Sequence, residues 1–195
     1  MKLPEIVGVA GTNASGKDTL GALRATLQNA KFVSLSDILR HELDLQGLPH
    51  ERENLRSLGN KWRSEGGAGV LVDKSVALYN EEKATMRYGG LTLTSIRHPK
   101  EAEAIQARGG VVIWIDADLK VRYDRIQKRN LGRPEDQKTF EQFVAEENIE
   151  MQSTPGNEAS PNMSAVRDIA DVKVINDYDT LEEYEAFLKK EFELV

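Results

Sequence analysis

The sequence predicts an α/β fold built on a three-layer, doubly wound, five-stranded parallel sheet, and three observations lead there. Five short apolar runs alternate with helical stretches along 195 residues, the order that builds a parallel sheet through crossover helices. The run 111–115, Val-Val-Ile-Trp-Ile, is apolar without a polar alternate, as in a strand covered by helices on both faces. A glycine-bearing segment, Gly11-Thr12-Asn13-Ala14-Ser15-Gly16-Lys17-Asp18, stands between the first run and the first helical stretch. Ligands of such sheets bind at strand carboxyl ends.

The elements follow in order. Residues 5–10 form the first strand, and the glycine-bearing segment feeds a helix over 19–28. A second short strand at 31–35 leads into a helix over about 37–46 that Gly47-Leu48-Pro49 ends. Helical stretches at 51–64 and 70–83 are separated by the glycine-rich residues 65–69. After a third strand at 91–95, Pro99 opens a helix at the first-turn position, where its missing N–H costs nothing, and Gly109-Gly110 closes it. The fourth strand, 111–115, sets Asp116 and Asp118 at its carboxyl end before a charged helix over 119–129.

Residues 130–138 read as a polar loop, and Thr139 with Gln142 supplies a capping box for a helix running to about 151. Residues 153–162, with Pro155, Gly156 and Pro161, are expected to form a mobile loop. A fifth strand at 171–176 precedes a final helix capped by Thr180 with Glu183, in which Leu181, Tyr184, Leu188 and Phe192 recur at helical spacing.

Composition narrows the function. The length suits one domain with a complete core. A net charge of −6 argues against a nucleic-acid partner. The absence of cysteine excludes disulfides and thiolate metal sites. No apolar run approaches the roughly 20 residues that cross a bilayer, and the start of the chain lacks a signal-peptide pattern. The expectation is a cytoplasmic protein without a membrane partner, a monomer or homodimer.

Residues 11–18 have the chemistry of a phosphate-binding loop. Gly11 and Gly16 let the backbone curl so that N–H groups of Asn13, Ala14 and Ser15 turn toward phosphate oxygens, and the following helix adds its positive N-terminal end. Lys17 then reaches the β- and γ-phosphates of ATP. Asp18 stands where Ser or Thr commonly holds Mg²⁺, and Thr19 follows one position later.

The segment Ser34-Leu35-Ser36-Asp37-Ile38-Leu39-Arg40 resembles the Ser-Thr-Gly-Asp-hydrophobic-Leu-Arg motif of nucleoside monophosphate kinases. Thr94-Ser95-Ile96-Arg97-His98-Pro99 is similar to the Asp-Gly-hydrophobic-Pro-Arg segment of the same enzymes. The resemblance implies a P-loop kinase in which Arg40 and Arg97 hold a phosphorylated acceptor and Asp37 helps position it; paired guanidinium forks match phosphate oxygens. His98 is expected to be structural. The charged stretch 119–129 resembles the arginine-bearing lid of these kinases. That assigns Arg125 and Arg129 to the transferring phosphoryl group, with Arg133 beyond them and Arg122 at the same helical spacing.

Gly47-Leu48-Pro49, Glu53-Asn54-Leu55-Arg56 and Gly59-Asn60 look like archaeal and bacterial P-loop proteins related to dephospho-CoA kinases, as does the final segment from Ala170. One departure touches the metal: Thr94 stands where these kinases carry an acid, and Asp18 is read as its replacement in contact with Mg²⁺. Asp116 is a further candidate for metal-water contacts. The domain reading is a core of 1–36, 90–120 and 168–195, an acceptor-binding insertion at about 37–89, a lid at about 121–151 and a mobile loop at about 152–167. Function is read as γ-phosphoryl transfer from Mg-ATP to a nucleoside or deoxynucleoside monophosphate. A dephospho-CoA kinase with Asp37 as base is one rival, and an ATP-binding regulator without turnover is another. No Asn-Lys-x-Asp guanine signature supports a GTPase.

Overall fold

The computed structural model describes residues 1–129, the Arg129 side chain excepted, and 137–194. The expectations for the Arg129 side chain, for Arg133 and for most of the loop 130–138 therefore lie outside the described residues. Five strands, β1 (Ile6–Gly11), β2 (Ala30–Ser34), β3 (Gly90–Ile96), β4 (Val111–Asp116) and β5 (Val172–Ile175), form one sheet in the order β2-β3-β1-β4-β5. All neighbouring pairs are parallel, as the alternating pattern predicts.

Side-chain alternation divides the core between the two faces of the sheet. Val7, Val9, Ile113 and Ile115 pack on one face beneath α1 (Lys17–Gln28) and α9 (Leu181–Glu191), whose Leu20, Tyr184 and Leu188 are buried there. Ala10, Leu91, Leu93 and Trp114 face the other way, against α2 (Leu35–Leu45), α3 (Arg52–Gly66), α4 (Val70–Met86) and α5 (Pro99–Gln106). Because both faces are covered, strand residues need no polar alternate. The helix after β1 covers one face and those after β2 and β3 the other, which opens a crevice at the carboxyl end of β1.

The remaining helices are α6 (Leu119–Arg129), α7 (Phe140–Met151) and α8 (Met163–Ile169). The capping boxes read from Thr139–Gln142 and Thr180–Glu183 are both present. His98 is structural as expected: its side chain caps α5, and its Nε2 lies 2.8 Å from the Glu158 carbonyl. The stretch 152–167 is not loop throughout. It contains the start of α8, which buries Met163 and Val166 against β1, β3 and α5, and the Asn162 amide donates to the Arg97 carbonyl at 2.8 Å. Short helices escape a periodicity reading because two turns carry too few repeats. Among the described residues, no helix is long and apolar enough to cross a membrane.

Candidate functional site

The loop between β1 and α1 takes its shape from two glycines. At Gly11 (φ 149°) a Cβ would lie 2.0 Å from the Ile115 carbonyl oxygen, and at Gly16 (φ 89°) 2.6 Å from Asn176 Nδ2. A side chain at Gly11 would have to displace backbone, and one at Gly16 the buried Asn176 and Tyr184 side chains, in a conformation that glycine adopts most readily. The ends of β4 and β5 then anchor the loop. Thr12 Oγ1 donates to Asp116 Oδ1 at 2.6 Å, and Asn176 Nδ2 donates to the Ser15 carbonyl at 2.9 Å.

On the outer side, Arg122 Nη1 reaches the Asn13 carbonyl at 3.4 Å and Arg125 Nη1 the Ala14 carbonyl at 3.5 Å. In a trans peptide the N–H points opposite the C=O, so drawing the Asn13 carbonyl outward aims the Ala14 N–H inward. The Ser15 N–H instead makes a long 3.4 Å bond to the Thr12 carbonyl.

The crevice is a cavity of about 1000 Å³ that runs from Asn13, Ala14, Gly16, Lys17, Asp18 and Thr19 across to Asp37, Arg40 and Arg97, with Arg125 also on its wall. These residues lie up to 112 positions apart in the chain, from Asn13 to Arg125, yet they face one space. Gly11 and Ser15 do not line it; both are buried beneath the loop, and Ser15 Oγ has no hydrogen-bond partner.

Lys17 is nearly enclosed, its side chain 14 % exposed, with Nζ 3.7 Å from Asp18 Oδ2. Burial pushes its ammonium below the ordinary lysine value; Asp18, Glu147 and Glu150 work against this shift and Arg97 adds to it. A desolvated ammonium gains from further negative charge, which phosphate oxygens would supply.

Arg97 follows β3, where Glu101 Oε2 accepts from the backbone amides of Arg97 and His98 at 2.9 and 3.1 Å. Glu101 is in turn held by Arg63 Nε and Nη2 at 3.0 and 2.8 Å. The Arg97 guanidinium forms an ion pair with Glu150 of α7. Arg40 is bonded to Asp37 at 2.6 Å, so the acid and base read separately from sequence are mutual partners.

Three expectations need correction. Asp116 does not line the cavity, because Thr12 and the Ala117 amide take up its carboxylate. Arg122 does not share a cavity-facing surface with Arg125: it is buried against Glu147 and the Ala117 carbonyl. Thr94 is also turned inside, fully buried with an unpartnered hydroxyl, and Ser95 faces the cavity instead. A register shift causes this, since β1 pairs Val9 with Thr94 but Ala10 with Ile96. Ser95 bulges at φ 63° and places its hydroxyl 3.0 Å from that of Ser34. A bulge re-aims one side chain and is invisible to residue counting.

Sequence reading also missed Arg52, Glu146 and Glu150, which line the same cavity. The i,i+4 spacing of Glu146 and Glu150 puts them on one helix face, a signal present in the sequence but shared by many solvated helices. Burial pushes the Glu150 carboxyl up, but Arg97 and Arg52, helped by Lys17, hold it below the usual carboxylate value.

Among the described residues, no group of three or more acidic, His or Cys side chains could hold a metal ion alone. Magnesium in nucleotide sites needs few protein ligands, because phosphates and waters complete its shell. Asp18 and Thr19 offer hard oxygen donors at the cavity wall, which fits such an ion.

No family model matches the chain. Its relatives include a UPF0200 protein of Hyperthermus butylicus, 27% identical over 186 residues that span 95% of this chain and 91% of the relative. A UPF0200 protein of Pyrococcus abyssi is 28% identical over 180 residues, 88% of this chain and 87% of its own length. Among solved structures, TT1252 from Thermus thermophilus matches with a TM-score of 0.56 at 20% identity over all of both chains. Shikimate kinase from Acinetobacter baumannii, in complex with shikimate, matches with a TM-score of 0.54 at 15% identity over 97% of this chain and 92% of the enzyme. The fold is therefore the one these structures share, a five-stranded parallel sheet with helices on both sides.

Proposed function

We propose that the protein is a small-molecule phosphotransferase that moves the γ-phosphoryl group of Mg-ATP to a phosphorylated acceptor, a nucleoside or deoxynucleoside monophosphate. The observation that carries this reading is the shared cavity, which Lys17 and the loop line together with Arg40 and Arg97. A donor phosphate at the loop and an acceptor phosphate at the arginines would then meet in one enclosed space.

Catalysis in this arrangement is positioning and electrostatics. Lys17, the inward Ala14 N–H and the amino end of α1 stabilise negative charge on the transferring group. Arg125 is held by the loop carbonyl of Ala14 and by the Asn176 and Tyr178 carbonyls, 3.3–3.5 Å away. It keeps the loop in shape from behind while its charge faces the cavity. Magnesium, held by ATP with Asp18 or Thr19, neutralises phosphate charge when bound.

A second reading, phosphorylation of a hydroxyl as in the dephospho-CoA kinases, is supported by the Asp37 carboxylate on the cavity wall. ADP release, measured with nucleoside monophosphates, deoxynucleotides and dephospho-CoA as acceptors, separates the two. Turnover with a monophosphate supports the first reading; turnover only with dephospho-CoA replaces it; ATP binding with no turnover on any acceptor points to a regulator.

A further inference from the structure

We propose that Arg52 and Arg97 form the anion site of the cleft and that Glu150 is its resident occupant, a carboxylate that the acceptor's phosphate displaces. This rests on the phosphorylated-acceptor reading and changes which arginines carry it, since sequence resemblance pairs Arg97 with Arg40.

Two guanidinium groups from distant parts of the chain converge on one carboxylate. Arg97, from the turn after β3, forms an ion pair with one Glu150 oxygen, and Arg52 Nε, from the first turn of α3, lies 3.4 Å from the other. Glu150 comes from a third element, α7. Arg40 takes no part and is bonded to Asp37. A carboxylate held by two guanidinium groups has the shape and charge of part of a phosphomonoester, which offers three oxygens and up to two charges to the same donors.

Two other ion pairs show what a purely structural pair looks like in this protein. Arg63–Glu101 and Arg122–Glu147 are closed to solvent, with side-chain exposures of 4 % and 0 %, and 7 % and 8 %. Arg63 borders the same cavity but is shut off from solvent, whereas Arg97 and Arg52 keep 30 % and 27 % exposure there and their partner Glu150 keeps 12 %, so a solute can reach them. The Lys17 ammonium feels the charges of both Arg97 and Glu150, which sets this pair beside the donor end of the cleft.

Displacement is also electrostatically self-consistent. A phosphate cannot share the site with an ionised Glu150, because like charges in a partly desolvated cleft repel strongly. Glu146, another partner of Arg52, stays neutralised by Lys138, whose Nζ lies 2.6 and 2.7 Å from its oxygens. Arrival of the acceptor therefore breaks the link between α7 and the β3 turn while leaving Glu146 compensated.

Calorimetric titration of inorganic phosphate at constant ionic strength tests this, with the full chain first saturated with Mg·AMP-PNP so that the loop is filled. Glu150→Gln is expected to bind phosphate about tenfold more tightly than wild type, and adding Arg52→Ala to it is expected to abolish the gain. Equal affinity in wild type and Glu150→Gln, or a gain that survives Arg52→Ala, overturns the proposal.

A measurement on wild type keeps the test independent of mutant folding: saturating phosphate should speed amide hydrogen exchange in Phe140–Met151, and unchanged exchange there overturns the displacement. If wild type fails to bind Mg·AMP-PNP, the kinase reading falls and the proposal with it. Nucleotide binding without any effect at Glu150 sinks the proposal alone.

Discussion

The two ends of the cavity are built on different physics. At the donor end the loop is shaped by backbone: positive-φ glycines, carbonyls held by Arg125 and Asn176, and a Thr12–Asp116 bond. At the acceptor end the shape comes from long charged side chains that neutralise one another, Arg40 with Asp37 and Arg97 and Arg52 with Glu150. The first end is preformed and, on the proposed reading, turns the Ala14 N–H toward a polyphosphate. The second is occupied by its own acids and opens only to a ligand that competes with them, so specificity is expected there.

The strongest way to break this comparison is at Lys17. Lys17→Ala should lower phosphoryl transfer at least a thousandfold, about 4 kcal/mol of transition-state stabilisation, with an unchanged circular dichroism spectrum. Wild-type turnover in that variant would remove the donor end from the reaction.

Gly11→Ala tests whether the loop is set by backbone. The added methyl meets the Ile115 carbonyl and a disallowed φ together, so unfolding in denaturant should show a loss of roughly 3 kcal/mol. A midpoint equal to wild type would mean that the loop relaxes freely.

Arg97→Ala should reduce kcat/KM for the acceptor about tenfold, or about 1.4 kcal/mol, mostly through KM, with little change in the KM for ATP. The reverse pattern would move Arg97 to the donor end.

A smaller effect is expected at Asp18. Asp18→Asn should raise the Mg²⁺ needed for half-maximal rate by a few-fold; an identical Mg²⁺ dependence would show that this exposed carboxylate serves only the N-terminus of α1.

The last test is acid stability. The Glu150 carboxyl sits below its usual value of 4.5, so the folded state binds its proton less readily than the unfolded chain. Its stabilisation is fully present above pH 4.5 and is lost as pH falls through the lowered folded value. Wild type should therefore lose stability over that range relative to Glu150→Gln, and parallel curves for the two proteins would show that the Arg97–Glu150–Arg52 cluster contributes nothing.

Much of the fold was legible because its signals are local. The apolar strands, Pro99 at a helix start and the capping boxes at Thr139 and Thr180 each depend on a few adjacent residues. The place of the loop between β1 and α1 was legible for the same reason, as glycine spacing and a following lysine act within one turn. The helix α8 was missed because its seven residues bury only Met163 and Val166.

At the acceptor end, local reading placed Arg40, Asp37 and Arg97 on the cavity but not the pairing of Arg40 with Asp37 or of Arg97 with Glu150. Helical spacing also left open whether Arg122 shares a face with Arg125; it turns toward Glu147 instead. Nothing within α6 distinguishes those two arginines; the neighbour packed on each side does.

The sequence by itself determined the five-stranded parallel sheet, the position of the loop and the lysine that follows it, because hydrophobic period and glycine spacing are properties of contiguous residues. Tertiary structure alone decided that Ser95 and not Thr94 faces the cavity, that Asp116 pins the loop, and that Glu150 joins Arg52 and Arg97. Each of these depends on strand register or on contacts between elements dozens of residues apart, and such contacts are selected by packing and charge in three dimensions rather than by any local preference of the chain.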